Sequence, residues 1–405
     1  MLRIKDHEAA LMDMLQRLIN GENFTSKFAA IQLMPVVFGE FSRANQQEIM
    51  TQFNQLARDD TPQVRKQCSI TLNDMIKLIP KVSDTELLNV FSQFYKDEQD
   101  TVRMQGIDSC VCFAQHLPPT KVNQFLLPYI RKFAEDKSWR IRYLVADRIM
   151  DLARGIGFDQ ANSVLLPFYS GFLKDMESEV RTAALGRLSE FCKMLDAQSI
   201  VQKIVPNLKE LEKDNFAYVR SALAENLLSI CPAIDKAATN EQVLPIFLNL
   251  LRDENSEVRL NLFKRLDDLN SVIGIEDLQQ SIIPSLTELA QDKNWRTKLS
   301  VVEQIPILAR QLGETFFNEK LQPICASWLK DPIYTIREAA IENYKQIAII
   351  FGPAWVGRYA MPRILTLQTD PNYLHRLTPL FTVIALAPHV NGEIIRKHFL
   401  GTLQA

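Results

Sequence analysis

The chain has 405 residues, with 46 Lys plus Arg against 48 Asp plus Glu, a formal charge of −2 and only 13 glycines. Glycine supplies positive φ to phosphate-cradling loops and tight strand corners, so a chain this poor in it leans away from those architectures and towards helices. A 47% apolar content excludes a disordered chain, and near-neutral charge argues against broad electrostatic capture of nucleic acid or anionic lipid.

From the start, Met1 to Asp13 carries Arg3, Lys5, Asp6, Glu8 and Asp13 where a signal peptide needs an apolar core. No stretch approaches the roughly 18 apolar residues of a membrane helix. Six cysteines are too few for a disulfide framework in a chain of this length. The expectation is a soluble chain of a reducing compartment, the cytosol first and the nucleus second, with neither membrane nor nucleic acid as partner.

A helix is predicted over His7–Ile19, and the degenerate string GENFTSK ending at Lys27 follows it. From there one frame repeats: Asp, five variable positions, a base. It occurs at Asp59–Arg65, Asp97–Arg103, Asp136–Arg142, Asp175–Arg181, Asp214–Arg220, Asp253–Arg259, Asp292–Lys298, Asp331–Arg337 and Asp370–Arg376, at a spacing of 38 once and 39 thereafter. Pro128, Pro167, Pro206, Pro245, Pro284, Pro323 and Pro362 keep the same period, each 8 residues before the frame's Asp. Proline is tolerated in the first turn of a helix, so each is expected at the start or early bend of a first helix.

A second helix is predicted after each base, with apolar residues at helical spacing. For Arg142 these are Val145, Ala146, Ile149, Leu152, Ala153 and Ile156; for Arg181, Ala184, Leu185, Leu188, Phe191, Cys192 and Leu195; for Lys298, Val301, Val302, Ile305, Leu308, Ala309 and Leu312. Gly157, Gly274, Gly313 and Gly352 lie fifteen residues past their bases, where a left-handed residue ends a helix. Two antiparallel helices cannot bury such a stripe alone, and about ten stacked pairs can. The predicted class is therefore all-α, an α-α superhelix of about ten 39-residue repeats running through residues 1–405 as a single solenoid.

These strings resemble the HEAT repeat and, more closely, the scaffold (A, 65-kilodalton regulatory) subunit family of serine/threonine protein phosphatase 2A. The likeness rests on DDTPQVR (59–65), DEQDTVR (97–103), DKSWRIRYLVAD (136–147), SEVRLN (256–261), IREAA (336–340) and DPNYLHR (370–376) in collinear order. Matching turns place the chain from the fourth to the thirteenth repeat of that family, followed by one more helix at Glu393–Leu403. The position one period after Pro362 is Gly401, and no polar capping repeat precedes the first helix, so the chain is expected to lack repeats of the family at both ends.

Within the frame, the Asp is expected to accept turn N–H groups and the base to reach the next repeat's Asp, a ladder worth about 0–1 kcal/mol per rung if exposed. Stacking does not require large aromatics at the variable positions, yet Trp139-Arg140 and Trp295-Arg296 occupy equivalent places. Phe24, Tyr334 and Tyr373 sit where the tryptophans do, and Tyr218 one position later. Turn aromatics beside arginine are types enriched at interface hot spots; the competing reading folds each ring back over its own turn. The resemblance implies that Asp60, Pro62, Asp100, Trp139, Arg140 and Glu179 contact a regulatory (B-type) subunit. It likewise implies that Trp295, Arg296, Tyr334, Tyr373, His375 and Arg376 contact the phosphatase catalytic subunit, Arg376 being also a frame residue.

Cys110, Cys112 and His116 cluster, but zinc needs four ligands and no second pair accompanies them. Cys110 falls on a core position, as do Cys68, Cys192, Cys231 and Cys325, so small buried hydrophobes are the better account and no cofactor or metal is expected. His7-Glu8 opens a metalloprotease pattern whose second histidine is replaced by Leu11, and no GxSxG, P-loop or GxGxxG occurs. The expected function is a non-enzymatic scaffold joining catalytic and regulatory phosphatase subunits. The alternatives are a transport-receptor-like solenoid and a nucleic-acid-binding one, the latter using Arg140, Arg142, Arg148, Arg296 and Lys298 as a basic strip.

Overall fold

The computed structural model describes residues 4–79, 83–262, 266–291 and 293–399. Its described regular structure is helical throughout, a HEAT-like solenoid of helix pairs without a strand among the described residues. The pairs fall into two compact units, Met1–Leu195 and Asp196–Ala405. In the first unit Glu8–Ile19 pairs with Phe24–Phe38, Arg43–Leu56 with Pro62–Ile76, and Asp84–Phe94 with Asp100–His116. The fourth repeat has a first helix ending in Leu127–Ala134 and a second made of Trp139–Asp147 and Ile149–Ile156; the fifth pairs Phe158–Phe172 with Ser178–Gly186 and Leu188–Cys192.

In the second unit the sixth repeat pairs Val205–Leu211 with Ala217–Leu227, and the seventh Leu244–Leu250 with Ser256–Leu262 and Leu266–Ile273. The eighth pairs Ile275–Ala290 with Trp295–Val302 and the segment from Ile305. The ninth pairs Gln322–Trp328 with Tyr334–Phe351, and the tenth Met361–Leu365 with Tyr373–Leu386. A further helical segment spans Gly392–Ile394 and Ile395–Phe399; residues 400–403 of the predicted last helix, and Gly401, lie outside the described residues.

The stripes hold the stack together. Every residue named above in the stripes after Arg142, Arg181 and Lys298 is buried, and each fully buried Leu, Ile, Val or Phe contributes about 1.5–3 kcal/mol. Two of the four tryptophans serve the same core: Trp328 donates its indole N–H to the Ala290 carbonyl at 3.2 Å, and Trp355 donates to Asn318 Oδ1 at 2.8 Å.

Five of the periodic prolines take the early-bend position expected of them, at the second residue of an α-helical segment. Pro128, Pro206, Pro245, Pro323 and Pro362 sit inside the first helices, each two residues after a π-turn: Val122–Leu126, Ile200–Ile204, Thr239–Val243, Phe317–Leu321 and Val356–Ala360. The residue before each proline bonds five residues back, as Leu127 N–H does to the Val122 carbonyl. A proline cannot continue the i→i−4 ladder, and the wider π-turn lets the chain pass it without ending the helix. Pro167 and Pro284 lie within uninterrupted helices.

The four predicted helix-ending glycines are the positive-φ residues of the described chain, at φ 92, 83, 82 and 83° for Gly157, Gly274, Gly313 and Gly352. Gly157 and Gly352 have ψ of 132 and 176°, so they occupy the extended positive-φ region almost reserved for glycine, not the left-handed helical well. An added Cβ would meet nothing within 4 Å at any of the four, so the requirement lies in the backbone alone.

Candidate functional site

The frame builds a ridge of intra-repeat turns along one edge of each unit. In every fully described frame, the Asp side chain accepts the N–H of the residue two further on, as Asp97 does from Gln99 at 2.9 Å and Asp331 from Ile333 at 2.9 Å. The base then does two jobs. Arg103 Nη1 donates to the Asp97 carbonyl at 2.7 Å, tying up its own turn, while its Nε and Nη2 donate to both Asp136 oxygens at 2.9 and 3.0 Å. Arg65 with Asp97, Arg142 with Asp175 and Arg220 with Asp253 repeat the bidentate reach, and Lys27 and Lys298 make single contacts with Asp59 and Asp331 at 2.6 and 2.7 Å.

These rungs are more enclosed than exposed surface pairs; the Arg103 and Asp136 side chains retain 6 and 12% of their exposure. Desolvation offsets much of the attraction in such an enclosed pair, but removing one partner leaves an uncompensated charge and costs more than breaking an exposed pair. Burial alone would raise the Asp175 carboxyl, but the Arg142 guanidinium and the Glu177 N–H hold it below the usual range. At Asp59 burial is likewise outweighed, by Lys27 and Thr61.

The ladder fixes where the variable side chains stand. In the first unit Asp100, Trp139 and Arg140 come together: the Asp100 carboxylate accepts from Ser138 Oγ at 3.1 Å and lies 3.4 Å from Arg140 Nη1, while the Arg140 guanidinium sits 5.4 Å over the half-buried Trp139 ring. Asp60 is exposed one turn before Asp100, and its carbonyl accepts from Arg65 at 3.1 Å. Pro62 opens its second helix and is half-buried, so helix initiation accounts for it. Glu179 is exposed on the fifth repeat and accepts from Ser178 Oγ at 3.0 Å.

In the second unit the exposed Arg296 guanidinium stacks 4.7 Å over the half-buried Trp295 ring. Tyr334 and Tyr373 are each 62% exposed at the first position of their helices. The Arg337 guanidinium lies 5.7 Å over the Tyr334 ring, as Arg140 and Arg296 lie over the tryptophans, so Tyr334 too leans in part on its own turn. His375 turns inward, its Nδ1 3.1 Å from Asp370 Oδ1, where it and the Asn372 N–H hold that carboxyl below its ordinary range. Arg376 donates to the Asp370 and Pro371 carbonyls at 2.9 and 3.1 Å, so it is engaged by its own turn.

Sequence reading overlooked Met176, 93% exposed, and Phe216, whose ring lies 5.4 Å from Tyr218. Both occupy variable frame positions, and an apolar residue there was the available signal. Four of the five bases of the suggested strip lie against carboxylates, and the fifth, the exposed Arg296, stacks on Trp295. Arg142 and Lys298 serve rungs, Arg140 pairs with Asp100, and Arg148 lies 3.7 Å from Asp108 and 3.6 Å from Asp151.

All six cysteines are buried. Desolvation pushes the thiols of Cys192 and Cys231 up to about 12, that of Cys231 with a smaller push from Asp268. Cys112 Sγ is 4.0 Å from His116 Nδ1, which contacts the Cys112 carbonyl at 2.8 Å. Among the described residues no group of three His, Cys, Asp or Glu side chains is arranged to hold a metal.

Comparison with known proteins gives two family matches: "PPP2R1A-like HEAT repeat" over residues 158–235 and "PIK3R4-like, middle domain" over residues 232–350. A Caenorhabditis elegans relative, a probable serine/threonine-protein phosphatase PP2A regulatory subunit, is 37% identical over 122 residues, 30% of this chain and 21% of the relative. The beta isoform of the human phosphatase 2A 65 kDa regulatory subunit is 40% identical over 72 residues, 18% of this chain and 12% of its own length. The chain thus matches about a fifth or less of these relatives. Among solved structures, the karyopherin Kap121p bound to the SUMO protease Ulp1p superposes with a TM-score of 0.69 at 14% identity, over 99% of this chain and 43% of that one. A Kap95p structure with RanGDP gives 0.66 at 10%, over 96 and 51%. At such identities the likeness establishes the helical-repeat fold. The chain is a HEAT-repeat solenoid similar in sequence to phosphatase 2A regulatory subunits over part of its length.

Proposed function

We propose that this chain is a non-catalytic scaffold that binds a phosphatase 2A-type catalytic subunit together with a regulatory (B-type) subunit through its turn ridge. The observation that carries the reading is the pairing of a rigid ladder with exposed aromatic and charged side chains that the ladder does not use, in a chain whose named relatives are phosphatase 2A regulatory subunits. Trp295, Arg296, Tyr334 and Tyr373 form the catalytic-subunit side, with His375 and Arg376 shaping the last turn. Asp60, Asp100, Trp139, Arg140 and Glu179 form the regulatory side, with Pro62 holding its helix start. The cytosol, with access to the nucleus, is the proposed location.

The mechanism is positional: two proteins held by one chain meet at raised effective concentration, with no chemical step on the scaffold itself. Titration with purified catalytic subunit tests it. Specific binding that falls at least tenfold, about 1.4 kcal/mol, in Trp295→Ala/Tyr334→Ala supports the reading; equal binding by the variant contradicts the assigned turns. The karyopherin likeness supports a second reading, a transport receptor that carries a cargo protein. It requires binding to a Ran-type GTPase, which the scaffold does not.

A further inference from the structure

The second helix of the tenth repeat carries an apolar face that the solenoid does not need. Leu374, Leu377, Phe381 and Ile384 run along Tyr373–Leu386 at helical spacing, and they are 38, 39, 51 and 57% exposed. Counted from the frame base, the same four positions of the ninth repeat hold Thr335, Glu338, Glu342 and Lys345. Of the ten repeats, the tenth alone is apolar both one and five residues after the base; the fifth-residue position elsewhere is Gln32, Ile70, Asp108, Asp147, Gly186, Glu225, Lys264, Glu303 and Glu342. Thr335, Glu338 and Glu342 are exposed although a tenth repeat follows them, so the positions of Leu374, Leu377 and Phe381 face solvent with or without a further repeat, whereas Lys345, the equivalent of Ile384, is half-buried.

Leu374, Leu377 and Phe381 of this face form one wall of a groove of about 310 Å3, and Tyr334, Ile341 and the exposed Glu338 and Glu342 form part of the other, where Arg337 is buried. Glu342 is bonded by Lys345 and Gln346, whereas the bond recorded for the Glu338 carboxylate is a 3.5 Å contact from the Tyr334 hydroxyl. An apolar wall opposite an acidic rim selects an occupant that is apolar on one edge and basic on the next. We propose that this groove docks a basic amphipathic helix of a partner protein, whose apolar residues at three- and four-residue spacing seat on Leu377 and Phe381 and whose Lys or Arg meets Glu338. This surface lies on the helix faces, not on the turns, and the proposal does not depend on the phosphatase reading.

The register supplies its own control. Leu377→Glu/Phe381→Glu places glutamate where the ninth repeat already carries it, so the variant is expected to keep its helicity and melting temperature. The probe is a fluorescent helical peptide with leucines along one edge and lysines flanking them, titrated against the full chain by anisotropy. The expected result is saturable binding, lowered at least tenfold by Leu377→Glu/Phe381→Glu and a few-fold by Glu338→Gln, with an acidic version of the peptide not binding. Equal binding by the double variant, or equal binding of a scrambled peptide of the same composition, overturns the proposal. So does binding that appears only after residues 400–405 are removed, which makes the chain's own tail the occupant, or sedimentation as a dimer that the double variant abolishes.

Discussion

Arg103 holds two turns at once: its guanidinium grips both Asp136 oxygens of the next repeat at 2.9 and 3.0 Å while donating to the Asp97 carbonyl of its own turn at 2.7 Å. Lysine lacks the planar fork, and Lys298 reaches Asp331 through its single Nζ, at 2.7 Å. Arg103→Lys is therefore expected to cost about 1–2 kcal/mol, and Arg103→Leu about 3–5 kcal/mol, because the latter leaves Asp136 enclosed without a counter-charge. Urea unfolding of the two variants beside the parent measures both; equal costs would mean that the forward charge pairing with Asp136, which lysine keeps, contributes nothing.

The ladder also predicts the response to acid. Burial pushes the carboxyls of Asp59 and Asp175 up, but Lys27, Arg142 and the turn N–H groups outweigh it and leave both below the usual carboxylate range. A depressed folded-state value contributes stability that is fully present above the unfolded value of about 3.9 and is lost as pH falls through the folded one. Unfolding free energy should be flat from neutral pH to about 5 and fall below about 4. Asp175→Asn should be less stable at neutral pH and show a shallower acid slope; an unchanged slope would remove this carboxylate from the account.

Two nearby glycines are needed for different reasons. Gly157 has φ 92° with open space around its would-be Cβ, whereas a Cβ on Gly155 would lie 2.2 Å from the Ala114 Cβ of the preceding repeat's second helix. Both Gly157→Ala and Gly155→Ala should cost about 1–3 kcal/mol, the first through backbone strain and the second through overpacking. Adding Ala114→Gly should recover part of the loss at 155 and none at 157. Thermal melts of the four variants distinguish these outcomes.

The exposed tyrosines should matter for binding and not for folding. Tyr334→Ala/Tyr373→Ala removes rings that are each 62% exposed, so stability should change by less than about 0.5 kcal/mol. Affinity for the catalytic subunit should fall at least tenfold, or about 1.4 kcal/mol. Trp328→Ala is the contrast: its buried indole should cost about 3–5 kcal/mol of stability.

Much of this was legible because the repeat compares each residue with its equivalents. The stripe after Arg142, the Asp-to-base ladder and all four helix-ending glycines follow from period and residue type alone. The π-turns did not, because a proline's missing N–H fits a helix start and an early bend alike; the apolar Val122 and Leu126 ahead of Pro128, both buried, signalled a helix already under way. At the site, exposure of Tyr334 and Tyr373 was readable from their place in the turn. The inward turn of His375 and the meeting of Asp100 with Arg140 were not, since both depend on how adjacent turns stack. The tenth repeat's apolar face was hidden among core leucines until its register was set beside Glu338 and Glu342.

The most direct test of the scaffold reading is co-sedimentation of a labelled catalytic subunit with a labelled regulatory subunit, with and without this chain. The account predicts a ternary species that forms only when the chain is present, loses the catalytic subunit in Trp295→Ala/Tyr334→Ala, and loses the regulatory subunit in Trp139→Ala/Arg140→Ala. Independent, unlinked sedimentation of the two subunits in the presence of a folded, helical chain would contradict it.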